Sequence, residues 1–357
     1  MKTTLLFLTF LPTVLFSQIT ITSADFATSG DTVRISKATD NSIDFATSGP
    51  NQTWDFSYLS FNSQSRRDYQ SMTGLPLLIN FVFGPMASNN YRATYFLPSS
   101  DLPIDQAGAF LPVTISDMMQ YSKKTNDSIT SVGFSLKING NGIPVKSDTI
   151  ETRYTFPLNY NDVHYSRGYT KLDMNPIYDA IWIQYRQRLT EVDGWGSVIT
   201  PYGTFDALRV MHTITETDSI RIAFQGNPMW IPIPVPESHI YEWITNGEQD
   251  AVLRIVTTVV GGNETVTSIE YKDFNLTASI DDIELSFDVY PNPAANSISV
   301  SNVVENSLFY IVDMNGKVLL DGLLNGSIDI NSIPQGFYEL VVKSNNQIGK
   351  KSFVKRD

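Results

Sequence analysis

From about Ser131 onward, apolar and polar positions follow one another with the short period of β-strands rather than the longer period of helices. The segments SVGFSLKI and VKSDTIETRYTF flank Asn139-Gly140-Asn141-Gly142, and AVLRIVTTVV and NETVTSIEYKDF flank Gly261-Gly262. The first pair reads as a hairpin or looped turn and the second as a hairpin, because these short segments supply the positive φ angles that tight turns need. Gln184–Asp193, Gly196–Thr200 and Phe205–Ser219 read as long strands rich in Val, Ile, Thr and aromatic residues, with Pro201 and Gly203 turning between them. Upstream, Asn51 to Phe56 reads as a strand that buries an aromatic anchor. Helix signals are weak, and Ile115–Lys123 and Pro176–Ile183 have room for a short helix at most. The pattern predicts an all-β chain with one large antiparallel sheet, curved or half-barrel-like, ahead of a small C-terminal β-sandwich.

The two ends depart from this pattern. The start, MKTTLLFLTFLPTVLFSQ, has a cation at Lys2, an apolar run from Leu5 to Phe16 and small Ser17 before Gln18. That is the plan of a secretory signal peptide over residues 1–17, which would be handled by the Sec translocase. The next most apolar run, Gly74 to Ala87, is too short to span a bilayer and is broken by Pro76, Asn80 and Pro85. It reads as a buried strand pair or a hydrophobic loop, so no transmembrane segment is expected in the mature chain.

At the other end, Tyr290-Pro291-Asn292-Pro293 forms a stiff, extended start to a new unit. Ile298 and Val300 then alternate with serines as in a half-buried strand, and Asn315-Gly316 makes a hairpin signal. A turn follows at Pro334-Gln335-Gly336, expected to use a positive φ at Gly336. Asn345-Asn346 leads into a last strand that carries Lys350, Lys351 and Lys355. This order resembles the type A C-terminal sorting domain of type IX secretion cargo, found in Bacteroidota. The residues that carry the likeness are Tyr290, Pro291, Asn292 and Pro293, the D-x-x-G-K hairpin of Asp313, Gly316 and Lys317, and the stretch from Ile328 through Pro334 and Gly336 to Tyr338. The basic last strand with Lys350 and Lys351 completes it, although the end at Asp357 differs from relatives that finish on lysine. The resemblance implies recognition by the type IX secretion translocon and removal of the domain by a sortase-like peptidase. The passenger would then be released or attached to surface lipopolysaccharide. The expected organisation is a leader at 1–17, a β-rich passenger at 18–277, a linker at 278–285 and the sorting domain at 286–357.

Composition narrows what the passenger can be. With 25 basic against 37 acidic residues the chain carries a net charge of −12, which argues against a nucleic-acid partner. Zero cysteines exclude disulfides, thiol catalysis and Cys-ligated zinc. His164, His212 and His239 lie at no metal-binding spacing, and no nucleophile elbow, phosphate loop or dinucleotide fingerprint occurs, so neither metal nor cofactor is expected. Asp101 with Asp105, Glu191 with Asp193, and Glu216 with Asp218 are spaced to share a face, as a carboxylate-dependent hydrolase requires; solvated strand carboxylates give the same spacing. The run from Asn227 to Trp243 alternates Pro232, Pro234 and Pro236 with apolar residues and must be extended and kept from mid-sheet. It reads either as a connection closing a sheet edge or as a lip over a ligand, with Trp230 and Trp243 as platforms. The echo of SADFATSG (Ser23–Gly30) in SIDFATSG (Ser42–Gly49) reads as two equivalent edges of a small sheet, or as a duplicated ligand loop using Asp25 and Asp44. The segment Asp193–Ile220 resembles a strand–turn–strand element of uncharacterised secreted Bacteroidota proteins and of periplasmic half-barrel proteins similar to lipid carriers. Together these features favour a non-enzymatic module binding a glycan or hydrophobic ligand, or serving in adhesion, with the secreted hydrolase as the alternative.

Overall fold

The structure is a computed structural model that describes residues 18–40, 42–99, 111–224, 227–274, 285–303, 307–313, 317–344 and 347–356. The expected leader, Asp101, Asp105, Gly316, Asn315 and the Asn345-Asn346 turn lie outside the described residues. Among those described, no helix is long and apolar enough to cross a membrane.

The chain divides into two compact units. The first comprises the residues up to Val33, then Asn41–Tyr58 and Asp68–Ser268; the second comprises Arg34–Asp40, Leu59–Arg67 and Ile269–Asp357. In chain order the first strands are β1 (Thr32–Ala38), β2 (Gly49–Asp55) and β3 (Phe61–Asp68), followed by helix α1 (Leu77–Phe83). Next come β4 (Tyr95–Pro98), β5 (Ile115–Lys124), β6 (Ser128–Ile138), β7 (Asn141–Thr155) and β8 (Val163–Asp173). The long β9 (Ala180–Thr200) and β10 (Gly203–Phe224) precede β11 (Asn227–Ile233), β12 (Glu237–Ile244), β13 (Leu253–Val260) and β14 (Asn263–Lys272).

The first unit is built on an antiparallel sheet in the order β13-β12-β10-β9-β8-β7-β6-β5-β4. Its hairpins follow the turn chemistry of the sequence. Asn139 and Gly140 have φ of 49° and 82°, and Gly261 and Gly262 have 60° and 81°, so each two-residue turn takes the twist that suits its strands. The expected breaks near Asp193 disappear, and β9 runs unbroken for 21 residues. Strand β10 is wide enough for two partners on one edge: Leu208–Ile214 pair with β12 and Asp218–Phe224 with β11. Pro234 and Pro236 fall between those partners, and among the described residues β11 pairs with β10 alone, which fits a proline-rich strand at an edge. The rest of the run expected to stay out of mid-sheet does not, since β12 lies between β10 and β13.

Three local expectations are corrected. The Gly74–Ala87 run is neither strand pair nor loop but contains α1, which starts after Pro76 and ends at Gly84. Ile79 and Phe83, one turn apart, are buried, and Phe83 stacks on Tyr121 with ring centres 4.3 Å apart. Gly133 makes room for this packing, since a Cβ there would lie 2.8 Å from the Phe83 ring. Ile115–Lys124 is a strand, because Tyr121 must reach that cluster while Tyr95–Pro98 pairs along its other edge. Pro176 lies in a turn, and Ala180 already begins β9.

The second unit holds β15 (Val289–Tyr290), β16 (Ser297–Val300), β17 (Leu308–Val312), β18 (Val318–Leu323), β19 (Ser327–Asp329), β20 (Gly336–Ser344) and β21 (Gln347–Lys355). They form a three-stranded sheet, β15-β16-β19, and a four-stranded sheet, β18-β17-β20-β21. Phe287, Ile298, Ile311, Ile330, Leu340 and Phe353 fill the core. Tyr310 and Val341 pack against Phe61 and Phe274, so segments distant in sequence belong to this unit. There Ser36 donates to Asp273 at 2.7 Å, and Lys343 lies 3.9 Å from the same carboxylate.

Candidate functional site

The strand registers of the first unit gather aromatic residues on one face. Tyr169 lies opposite Tyr185, Arg167 opposite Gln187, and Trp230 on β11 opposite Arg221 on β10. Tyr185 in turn faces Thr217, and Gln187 faces Thr215. Tyr165 is exposed; it donates to Gln187 at 2.7 Å, and Arg167 donates back to its hydroxyl at 3.2 Å with the guanidinium 5.3 Å from the ring centre. Trp230 is also exposed, and its cross-strand neighbour Arg221 donates to Asp179 at 2.6 Å. The period of two thus places rings, hydroxyls, an amide and two guanidinium groups on one sheet surface.

The opposite face of the same strands is buried and carries charge. Arg188 donates to Glu151 at 2.6 Å, while Arg186 bonds Glu216 at 2.5 Å and Gln184 bonds the same carboxylate at 2.8 Å. Burial opposes the Glu151 charge, yet Arg188 and Arg186 overcome it and hold the carboxyl down to about 2. Asp218, two residues from Glu216 on this face, is pushed up to about 8 by burial and by the Glu216 charge. Further along, His212 Nδ1 lies 2.9 Å from the Thr190 hydroxyl and Nε2 lies 3.2 Å from Glu242, which also accepts from Tyr154 and, at 2.7 Å, from Arg254. Burial pulls His212 down to about 4 against the attraction of Glu242. Glu242 is itself held well below the carboxylate range, with Arg254 and His212 outweighing its burial. This polar belt separates an apolar cluster around Trp182 and Ile220 from another around Val192 and Leu208.

The sequence-derived candidates fare differently. The pair Glu216–Asp218 shares a face, but inside the structure rather than on a solvated surface. Asp193 is bound by Arg209. Trp243 is wholly buried, edge-on to Trp54 and Phe56, and offers no ring face to a ligand. The two FATSG copies are neither sheet edges nor an open ligand loop. Asp25 accepts from Thr22 at 2.8 Å and from Gly247 at 2.9 Å, and Asp44 accepts from Ala46 and Thr47, so both carboxylates cap turns. Their phenylalanines are the packing groups, Phe26 against Tyr154 and Phe45 against Tyr241. Among the described residues, no group of three or more His, Asp or Glu could hold a metal ion. The buried belt itself escaped sequence reading; its one signal is that polar and apolar residues mix at both parities of β9.

In the second unit the motif residues have structural duties. The peptide bonds before Pro291 and Pro293 are cis, and Asn292 between them accepts from the Val354 amide at 2.9 Å and donates to the Ser352 carbonyl at 3.2 Å. Its side chain thereby gives β21 one donor, which the flanking prolines lack, and one acceptor. Asp313 accepts from the Lys317 amide at 2.9 Å. Tyr338 donates to the Pro334 carbonyl at 2.7 Å. Gly336 does not take the expected positive φ: it begins β20, and the Tyr338 hydroxyl lies 3.2 Å from where its Cβ would be. Tyr290 is exposed, and Lys351 lies 3.7 Å from Asp288.

Residues 288–356 match the family described as the secretion system C-terminal sorting domain. That tail marks the protein as type IX secretion cargo and implies export to the cell surface or secretion. No curated protein matches the sequence. Among solved structures the chain is similar to PorZ, an essential surface component of the type IX secretion system of Porphyromonas gingivalis. The identity is 8% over 68% of this chain and 51% of that one, with a TM-score of 0.19. The chain thus spans about half of that protein's length.

Proposed function

We propose that the passenger is a non-enzymatic glycan-binding module that works outside the cell, with the β8–β11 face as its platform. The observation that carries this reading is the surface shared by Tyr165, Tyr169, Tyr185 and Trp230, interleaved with Gln187, Arg167 and threonine hydroxyls. Such rings offer flat apolar area at little entropic cost, and the groups between them can exchange hydrogen bonds with sugar hydroxyls. A hydrophobic ligand would leave those polar groups unpaired. In this scheme the leader directs passage into the periplasm, and a sortase-like peptidase removes the tail after translocation.

The test is titration of the purified protein against a panel of soluble oligosaccharides. Trp230→Ala and Tyr165→Ala should each weaken binding about tenfold, as loss of an exposed aromatic anchor does. Wild-type protein that binds no member of the panel would remove the reading, as would unchanged affinity in both variants.

One observation favours a second reading, a carboxylate-dependent hydrolase. Asp218 keeps its proton near neutrality beside Glu216, the division of labour such enzymes use. Against it, both side chains are sealed in the sheet and Glu216 is committed to Arg186 and Gln184. Glycosidase turnover abolished by Glu216→Gln would reverse the order of the two readings.

A further inference from the structure

Helix α1 is apolar on two sides. One side is spent on the sheet through Ile79 and Phe83, and Asn80, its one polar residue, turns back to donate to the Leu75 carbonyl at 2.8 Å. The other side is open: Leu77 is 67% exposed, Leu78 55% and Phe81 50%, with Met86 in the following turn at 62%. Residues 77 and 78 lie within one turn of 81, so the three form a single surface patch. A helix apolar all round is normally enclosed by protein or lipid, and an exposed cluster of this kind marks an interaction site. The helix is also firmly seated, since Phe83 is wholly buried against Tyr121 and the Ala93 amide bonds the Phe83 carbonyl at 2.9 Å.

Charge around the patch indicates what covers it. The chain has 37 acidic residues, yet none falls between Asp68 and Asp101. The turn after α1 is instead ringed by cations. Exposed Arg92 donates to the Ala87 carbonyl at 2.9 Å, Lys123 to the Asn89 carbonyl at 2.7 Å, and Lys146 lies 4.9 Å from the Tyr91 ring centre. A second copy of the chain is a poor occupant, because a two-fold contact here would set these cations against their equivalents. Apolar side chains bordered by cations match the acyl boundary and headgroups of an anionic lipid layer.

We infer that α1 and the turn after it form a docking surface for an anionic lipid layer, into which Leu77, Leu78, Phe81 and Met86 insert while Arg92, Lys123 and Lys146 meet the headgroups. The contact is peripheral and reversible, because a two-turn helix buries only a few side chains.

Co-flotation of the purified protein with vesicles tests this. Vesicles of phosphatidylcholine mixed equally with phosphatidylglycerol should carry the protein, and phosphatidylcholine alone should carry far less. Each inserted Leu or Phe corresponds to roughly tenfold in partition, so Leu78→Ser with Phe81→Ser should abolish flotation. Arg92→Gln with Lys146→Gln should lower binding to the anionic vesicles about tenfold or more and remove its salt sensitivity. Both pairs are exposed and should leave the unfolding midpoint unchanged. Three results overturn the inference: no flotation of the wild type, equal flotation of wild type and both double variants, or a wild-type dimer in solution that Leu78→Ser with Phe81→Ser converts to monomer.

Discussion

Asp218, Glu151 and His212 lie on one buried face and answer pH in opposite directions. Burial and the Glu216 charge push the Asp218 carboxyl up to about 8 from the ordinary 3.8, so the folded chain holds more protons between those values. Its contribution to stability therefore falls as pH rises through that window. Glu151 is lowered to about 2, so its contribution is present above about 4.5 and is lost as pH falls toward 2. His212, neutral in the fold down to about 4, costs stability as pH drops from about 6.5, because the unfolded chain takes up the proton first. Asp218→Asn should consequently raise stability by a few kcal/mol at pH 9 and by much less at pH 4. Urea unfolding at the two pH values checks this, and an equal change at both would mean that Asp218 is ionised throughout.

Among the elements, β2 depends on close backbone approach at glycines of β9, most tightly at Gly196. It runs parallel to β9, and Gly196, at φ 155°, allows the approach: a Cβ there would lie 2.0 Å from the Gln52 carbonyl oxygen. Gly196→Ala should destabilise the protein by about 3 kcal/mol, whereas Gly142→Ala, with nothing within 4 Å, should stay within about 0.5 kcal/mol. Urea midpoints of the two variants make the comparison. Elements of this sheet were legible where local chemistry decides them, as in the Asn139-Gly140 and Gly261-Gly262 turns and the edge position of the proline-rich β11. Helix α1 was not, because a short apolar run has no period that separates a helix from a strand, and distant Tyr121 and Gly133 settle the matter. Trp243 and Trp230 look alike in sequence, and Trp54 and Phe56, far upstream, help to bury the first. The Glu216–Asp218 pair was legible as a pair, but not its burial, since Arg186 and Glu151 come from other strands.

For the whole molecule, the tail implies export by type IX secretion. Deleting Ser286–Asp357 should leave the passenger inside the cell, measured by fractionation and immunoblotting; undiminished passenger in the medium would refute the sorting role. The sorting motifs could be read because they are turn and cap chemistry confined to a few residues each. What could not be read was that the second unit also takes in Arg34–Asp40 and Leu59–Arg67. Solubility of the truncated chain should be followed alongside, since Tyr310 and Val341 cover Phe61 and Phe274.

That membership bears on timing. Ser36 and Gln64 are made early in synthesis, yet their partners in the second unit, Asp273 and the Phe274 carbonyl, come more than two hundred residues later. Contacts so far apart along the chain close slowly, after a large loss of entropy. These two contacts therefore cannot close until the chain has been made past Phe274.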